Sequence, residues 1–325
     1  MVEAKSVVVT GGAGFIGSHL VDELVRRGHQ VTVIDDFSTG TRHNIDFWGN
    51  KIAVVEGDID DPEIAAVCGG VDVVFHLAVR NVRASLRDPE ENFRVNATGT
   101  LRILEAMHHS TPGQFVYVSS SEVYGDAGVT EFSETTVPAP TTVYGTGKLA
   151  GEHLTLAYHV SHGLDTRVIR PFNNYGPRSH FEGDSGELIP KFILRALAGR
   201  PLIIHGDGEQ TRDFMFVRDT AYWLAELAGI PELSGDVVNI GSGVDHSVND
   251  VARRILDFTA SSSAVEHGPP RPGDLPRLAA DVKKVGEFVD FHLSTDFEEG
   301  LSETVSYFSH QDIEALLARE VEQTW

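Results

Sequence analysis

The sequence predicts a doubly wound parallel α/β sheet, with a smaller α/β domain appended after it. Three observations predict this. Short apolar runs rich in β-branched residues recur through the first half, separated by segments of helical apolar spacing. The first run ends in a glycine-rich turn that opens directly into an amphipathic stretch. From about Asn174 the alternation loosens into shorter elements interrupted by Gly, Pro and polar residues.

Taken in order, Val7–Val9, Val31–Ile34, Ile52–Val55, Val71–Leu77 and Phe115–Val118 read as strands. Between the first two, Ile16, Leu20 and Leu24 with Val21 and Val25 form one helical stripe, which ends at Gly28 as a C-cap. Leu101, Leu104 and Met107 form another. Such alternation implies parallel strands wound with helices on both faces. Thr166–Ile169 and Val237–Ile240 have the composition to return to the same sheet. Further on, Leu188–Ala198 reads as a helix, Leu202–Ile204 as a strand and Ser302–Thr324 as a helix. The expected division is 1–173 for the first domain and 174–325 for the second. No internal repeat or low-complexity segment interrupts it.

Composition narrows the function. The 325 residues are 41% hydrophobic and 23% charged, the balance of a globular protein with a sizeable core. A net charge of −22 argues against nucleic acid as a partner. No run approaches the roughly 18 apolar residues of a membrane span. The opening MVEAKSVVVTGG has no signal-peptide pattern, and the single cysteine, Cys68, excludes an internal disulfide. A cytoplasmic protein with no metal site is the expectation. An acidic chain that binds an anion must place its few cations deliberately, which singles out Arg178, Lys191, Arg212 and Arg271.

The turn T-G-G-A-G-F-I-G at 10–17 spaces Gly11, Gly14 and Gly17 as G-x-x-G-x-x-G between strand and helix. Glycine permits the tight turn and close approach to a pyrophosphate, which the helix N-terminus then attracts. Asp35 ends the second strand in V-T-V-I-D-D, where it can bind a ribose diol and repel a 2′-phosphate. The cofactor expected is NAD on a Rossmann-type sheet. Asp58, in E-G-D-I, either reaches the adenine edge or is a plain turn aspartate.

Tyr144 and Lys148 in Y-G-T-G-K lie four apart, on one face of a helix. A tyrosine near its usual pKa of ~10 is a poor base at neutral pH. A lysine ammonium and a cationic nicotinamide favour the phenolate, so Tyr144 can take a hydroxyl proton as hydride leaves. Ser120, after the strand Phe115–Val118, can hydrogen-bond the same hydroxyl. In isolation the Tyr–Lys pair is an ordinary surface feature; behind a dinucleotide turn it reads as catalytic.

These segments, with VIDDFSTG, FHLA, VSSSEVYG, RPFNNYGPR, GDGEQTRDFMFV and RPGD, run in order through nearly the whole chain. Together they resemble the extended short-chain dehydrogenase/reductases of the nucleotide-sugar epimerase/dehydratase group. The resemblance implies a catalytic set of Ser120, Tyr144 and Lys148, NAD as cofactor and a nucleotide sugar, UDP-linked by preference, as substrate. It implies NAD contacts at Gly11, Gly14, Phe15, Ile16, Gly17, Asp35, Asp58, Ile59, Leu77 and Ala78, besides Tyr144 and Lys148. It implies substrate contacts at Ser120, Ser121, Asn174, Lys191, Phe192, Arg212 and Arg271, and a homodimer through Glu91–His108 and Tyr144–His162.

Glu122, two residues beyond Ser120, points the reading toward dehydration. Oxidation at C4 acidifies the C5–H, and dehydratases of this group resemble one another in placing a glutamate here as the C5 base. Simple 4-epimerases carry a small or hydroxylic residue. The sequence also departs from the group. Ser121 stands where some 4,6-dehydratases have an aspartate acid, which leaves protonation of the C6 hydroxyl unassigned. H-L-A-V-R-N-V places Arg80 and Arg83 near the sugar, either to bind a C6 carboxylate or to orient the loop.

The function expected is NAD-dependent dehydration of a UDP-hexose or UDP-N-acetylhexosamine, with hydride returned to C4 or to C6. The alternatives are a UDP-sugar 4-epimerase, a UDP-glucuronate decarboxylase and, in a different class, a non-catalytic NAD-binding sensor.

Overall fold

Seven parallel strands form the central sheet of the computed structural model, which describes residues 4–111, 113–182, 186–270 and 275–319. Across the sheet they run Asp236–Ile240, Asp165–Pro171, Gln114–Val118, Val73–His76, Ser6–Thr10, Gln30–Asp35 and Ile52–Glu56. The order reverses at Ser6–Thr10, whose neighbours are Gln30–Asp35 on one side and Val73–His76 on the other. A crevice opens at the C-terminal strand ends at such a switch point.

The central strands are hydrophobic without alternation because both faces are covered. Val7 and Val9 belong to one buried cluster with Leu20, Leu24, Trp223 and Leu224. Val8, between them, faces the opposite cluster with Ile103, Leu104, Met107 and Tyr158. Helices Phe15–Arg26 and Val217–Ala228 therefore cover one face, and Thr100–His108 and Val143–His162 the other. The first helix stops where expected: Gly28 has a φ of 86°, and His29 N–H closes onto Leu24 C=O at 3.1 Å.

A second core lies beside the sheet, around Phe192, Ile193, Phe214, Val251, Ile255, Leu301 and Phe308. Its helix Leu188–Leu197 and strand Leu202–His205 agree closely with the sequence pattern. The single helix expected over Ser302–Thr324 is instead two, as far as the described residues extend. Phe297–Ser309 begins earlier because Asp296 caps it, accepting from Glu299 N–H at 2.8 Å. Asp312 caps a separate helix, Ile313–Leu317, through Ala315 N–H. Among the described residues, no helix is long and apolar enough to cross a membrane, and no His/Cys/Asp/Glu group is placed to hold a metal.

Candidate active site

The crevice at the switch point is lined by Gly11, Gly14, Phe15, Ile16, Gly17, Asp35, Asp58, Ile59, Leu77, Ala78, Tyr144 and Lys148. Every residue expected to contact the cofactor thus opens on one cleft. Backbone packing explains its floor. A Cβ on Gly17 would stand 2.1 Å from Gly11 O, and one on Gly11 would meet the Ala78 backbone at 2.7 Å. Gly11 also has a φ of 69°, which favours glycine. The N-cap of helix Phe15–Arg26 is Gly14, so no side chain occupies its first-turn amides. Those amides and the dipole are left for an anion such as a pyrophosphate.

Asp35 is held by the amides of Ala13 and Phe37 at 2.9 and 2.8 Å, with burial pushing its pKa up. Its carboxylate keeps acceptor capacity for a ribose diol. Asp58 is drawn to Arg94 at 2.6 Å; burial works against its charge, but Arg94 and the Asp60 amide hold its pKa below the usual value. These residues fit NAD.

The catalytic half is built from two facing segments. Thr142 caps the helix Val143–His162 by accepting from Gly145 N–H at 3.0 Å, which puts Tyr144 in its first turn. Ser120 accepts from Glu122 N–H at 3.2 Å and starts the 3₁₀ turn Ser121–Val123. The two segments touch: a Cβ on Gly145 would lie 2.6 Å from Glu122 O. Ser120 lies near enough to the Tyr144 hydroxyl to act on its ionisation. The Tyr144 pKa is nevertheless raised, by burial first and then by the negative charges of Glu122 and Glu187, with Ser120 opposing. Lys148 Nζ donates to Val118 O at 2.6 Å and lies 4.4 Å from the Tyr117 ring centroid. Burial brings its pKa down to about 7, against the pull of Glu152.

The other expected residues divide. Arg80 lines the cleft but turns away from the sugar end. Its guanidinium meets Asp36 at 2.9 Å and Ser38, beyond the second strand where Asp35 stands, because two acids there (Asp36 and Glu91) attract it. Arg83 is half-buried, donates to Gly186 O and feels the charge of Glu187. Arg178 pairs with Asp22 at 2.9 Å, tying the loop after Tyr175 to the first helix. The Phe192 ring packs in the second core. Ser121 is buried. Asn174 donates to Phe172 O at 2.7 Å and accepts from Thr220. Arg212 donates to Thr211 O and Leu275 O at 2.7 and 2.8 Å, and Lys191 rides on Leu188–Leu197. Arg271 lies outside the described residues.

Several residues that line or support the cleft escaped the sequence reading. Glu187 and His180 enter the cleft from the second core's side, and Ser119 from the strand end. Asn92 and Asn96, both buried, grip the backbone of Arg80 and Asn81 from the helical segment 89–99. A signal for Glu187 was its position ahead of the apolar run L-I-P-K-F-I-L; for the asparagines, the polar interruption of a helical pattern.

Comparison with known proteins agrees with this geometry. Residues 7–241 match the model of the NAD dependent epimerase/dehydratase family. The chain is 36% identical over 319 residues to a UDP-N-acetyl-alpha-D-glucosaminuronate decarboxylase of Bacillus cytotoxicus, covering 94% of this chain and 98% of that protein. It is also 36% identical over 310 residues to a UDP-glucose 4-epimerase of Mycolicibacterium smegmatis, with 94% and 98% covered. The crystal structure of DesIV, a dTDP-glucose 4,6-dehydratase from Streptomyces venezuelae with NAD bound, superposes with a TM-score of 0.87 at 30% identity, covering 94% of this chain and 97% of that one. The chain belongs to the NAD-dependent epimerase/dehydratase family.

Proposed function

We propose that the protein is an NAD-dependent nucleotide-sugar dehydratase that acts on a UDP-hexose or UDP-N-acetylhexosamine. The observation behind this is Glu122, a half-buried carboxylate two residues from Ser120 whose charge reaches the Tyr144 hydroxyl. An epimerase that only rotates a ketone has no use for a base there.

When bound, NAD supplies a hydride acceptor and a positive charge. Tyr144 accepts the C4 hydroxyl proton, Ser120 holds that hydroxyl, and the Lys148 ammonium favours the phenolate. Without a cationic partner the site opposes that ionisation, since burial and two carboxylates all raise the Tyr144 pKa. Glu122 then takes the acidified C5 proton, and the C6 hydroxyl leaves as water. Its proton comes from Glu122 or from Glu187, a carboxylate that lines the cleft and acts on Tyr144. Hydride to C6 with a proton returned to C5 would give a 4-keto-6-deoxy sugar. Hydride to C4 gives a 5,6-ene, the outcome of the tunicamycin-pathway UDP-GlcNAc 5,6-dehydratase TunA, which the sequence resembles; a role in antibiotic biosynthesis belongs to that version of the reading.

The second reading, decarboxylation or 4-epimerisation, draws on the two relatives described above. A cytoplasmic homodimer completes the proposal. Phe93, Leu101 and Leu154 line a shallow apolar surface between Pro89–His108 and Val143–His162, where a second copy would pack.

The test is mass spectrometry of UDP-GlcNAc and UDP-glucose incubated with the purified protein. Loss of one water supports the dehydratase, and deuterium placement locates the returned hydride. Unchanged mass with inverted configuration makes it an epimerase, and loss of carbon dioxide from UDP-glucuronate a decarboxylase. Glu122→Gln is expected to abolish C5–H exchange in deuterated water while NAD is still reduced.

A further inference from the structure

Behind the cleft lies a charged pair that the reaction as described does not use. Glu152 and Arg170 are 1% and 5% exposed. Arg170 Nε and Nη2 donate to the two Glu152 oxygens at 2.8 and 2.6 Å, a bidentate fork. A buried ion pair is weak evidence for stability, since well-packed apolar residues often serve as well. Its connections suggest another purpose.

Tyr144, Lys148 and Glu152 stand at i, i+4 and i+8 along Val143–His162, hence on one helix face. The strand end opposite presents three consecutive residues to that face. Val118 O takes the Lys148 ammonium, the Ser119 hydroxyl donates to Glu152 Oε1 at 2.5 Å, and Ser120 reaches the Tyr144 hydroxyl. Glu152 thus holds the middle residue of the three. The remaining Arg170 nitrogen, Nη1, donates to the Tyr124 hydroxyl at 2.9 Å. Tyr124 in turn donates to Asn239 Oδ1 at 2.8 Å, on the neighbouring strand Asp236–Ile240. Ser120 and Glu122 lie between the two tethered residues, Ser119 and Tyr124.

We propose that the Glu152–Arg170 pair positions the reacting groups. Arg170 holds Glu152 and Tyr124 together, and so fixes the segment bearing Ser120 and Glu122 against the helix face bearing Tyr144 and Lys148. The inference rests on the assignment of Tyr144 and Lys148 to hydride transfer, and holds for any of the reactions that begin with it.

Charge follows the same geometry. The titratable groups facing Lys148 are Tyr144 and Glu152 on its own helix, Tyr117 on Gln114–Val118 and His76 on Val73–His76, with Arg170 behind Glu152. Tyr117 is held protonated and His76 neutral by burial. Glu152 is the acid that acts on Lys148 among the described residues, and it favours the ammonium. Glu152→Gln removes that support and leaves Arg170 uncompensated, two changes that both disfavour the ammonium.

The experiment follows NADH absorbance on mixing purified, NAD-loaded enzyme with UDP-glucose or UDP-GlcNAc, whichever is turned over, across pH. In Glu152→Gln the alkaline limb of NAD reduction is expected to move down by about one unit, the low end for loss of an opposite charge. Ser119→Ala leaves the ion pair intact and removes only its link to the strand end. It is expected to slow NAD reduction by roughly 10- to 100-fold, as small misplacements do. Tyr124→Phe is expected to lower C5–H exchange more than NAD reduction, because it frees the Glu122 side of the segment. If Glu152→Gln does not fold, the other two variants decide. Folded variants with wild-type rates and pH limbs, beside an inactive Tyr144→Phe, would overturn the positioning role alone. Undiminished NAD reduction in Tyr144→Phe would overturn the underlying assignment instead.

Discussion

The two halves of the cleft are made of different material. The cofactor half is mostly backbone: a glycine turn with no room for a Cβ, an uncapped helix start and the peptide of Ala78. The catalytic half is made of side chains that carry charge into the interior: Lys148, Glu152 and Arg170, with Tyr144 half-buried beside them. Backbone geometry is indifferent to pH and intolerant of added atoms. Buried charge accepts shape changes more readily but responds to every proton and every lost partner. Binding and chemistry should therefore fail in separable ways.

The largest expected separation comes from Gly17→Ala. The new methyl would lie 2.1 Å from Gly11 O, a backbone atom that cannot swing aside. Overpacking of this kind costs about 1–3 kcal/mol, and here the strain falls on the turn that would hold the pyrophosphate. The NAD content of the purified protein is expected to fall by roughly 10- to 100-fold. Turnover should recover when NAD is supplied in excess. Normal NAD content in Gly17→Ala would mean that the turn is softer than its packing implies.

That same distinction explains what the sequence made legible. Gly11, Gly14 and Gly17 are readable because only one residue type satisfies their geometry, and Asp35 because a strand end fixes its place. Tyr144 and Lys148 are readable because helical spacing puts them on one face. The cations expected near the sugar nucleotide were not. Arg178 turned to Asp22 and Arg80 to Asp36, since a long guanidinium goes to whichever acid the fold brings near. Nothing in the spacing of Glu152 and Arg170, 18 residues apart, announces a fork between helix and strand.

Acid should act on both faces of the sheet, through His19 and His76. Burial, aided by the charges of Arg178 and Lys148 respectively, lowers each pKa from 6.5 to about 3. Both imidazoles are neutral in the fold, while the unfolded chain protonates them near 6.5. Stability is therefore fully present above pH 6.5 and is lost as pH falls from there toward 3. The full loss is on the order of 5 kcal/mol for each histidine, of which roughly 3 kcal/mol has gone by pH 4.5. Urea unfolding at pH 7 and pH 4.5 measures it, and a His19→Gln variant should show a shallower pH slope than the parent. His19 Nε2 bonds Pro177 O at 2.9 Å, so this variant keeps a donor there. An equal slope would place the acid response elsewhere.

The smallest expected effect concerns Arg80, whose location separates the two uses of the cleft. A C6-carboxylate ligand would be the main determinant of binding for a UDP-uronic acid, and Arg80→Gln would then raise that substrate's KM by well over tenfold. In the structure the Arg80 guanidinium instead spans from the loop after Val73–His76 to Asp36 and Ser38, at the ribose end of the cleft. Asp36 answers to it: burial raises the pKa of that acid, yet the bonds from Ser38 and Arg80 bring it below the usual value. Both partners are part-exposed, at 19% and 30% of the side chain, so solvent screens the pair to about 0–1 kcal/mol. Arg80→Gln should therefore weaken NAD retention by no more than about fivefold and leave the KM of the sugar nucleotide nearly unchanged. Measured together, the two constants assign Arg80 to one end of the cleft: a rise confined to the sugar nucleotide's KM would move it to the reacting sugar and bring decarboxylation forward.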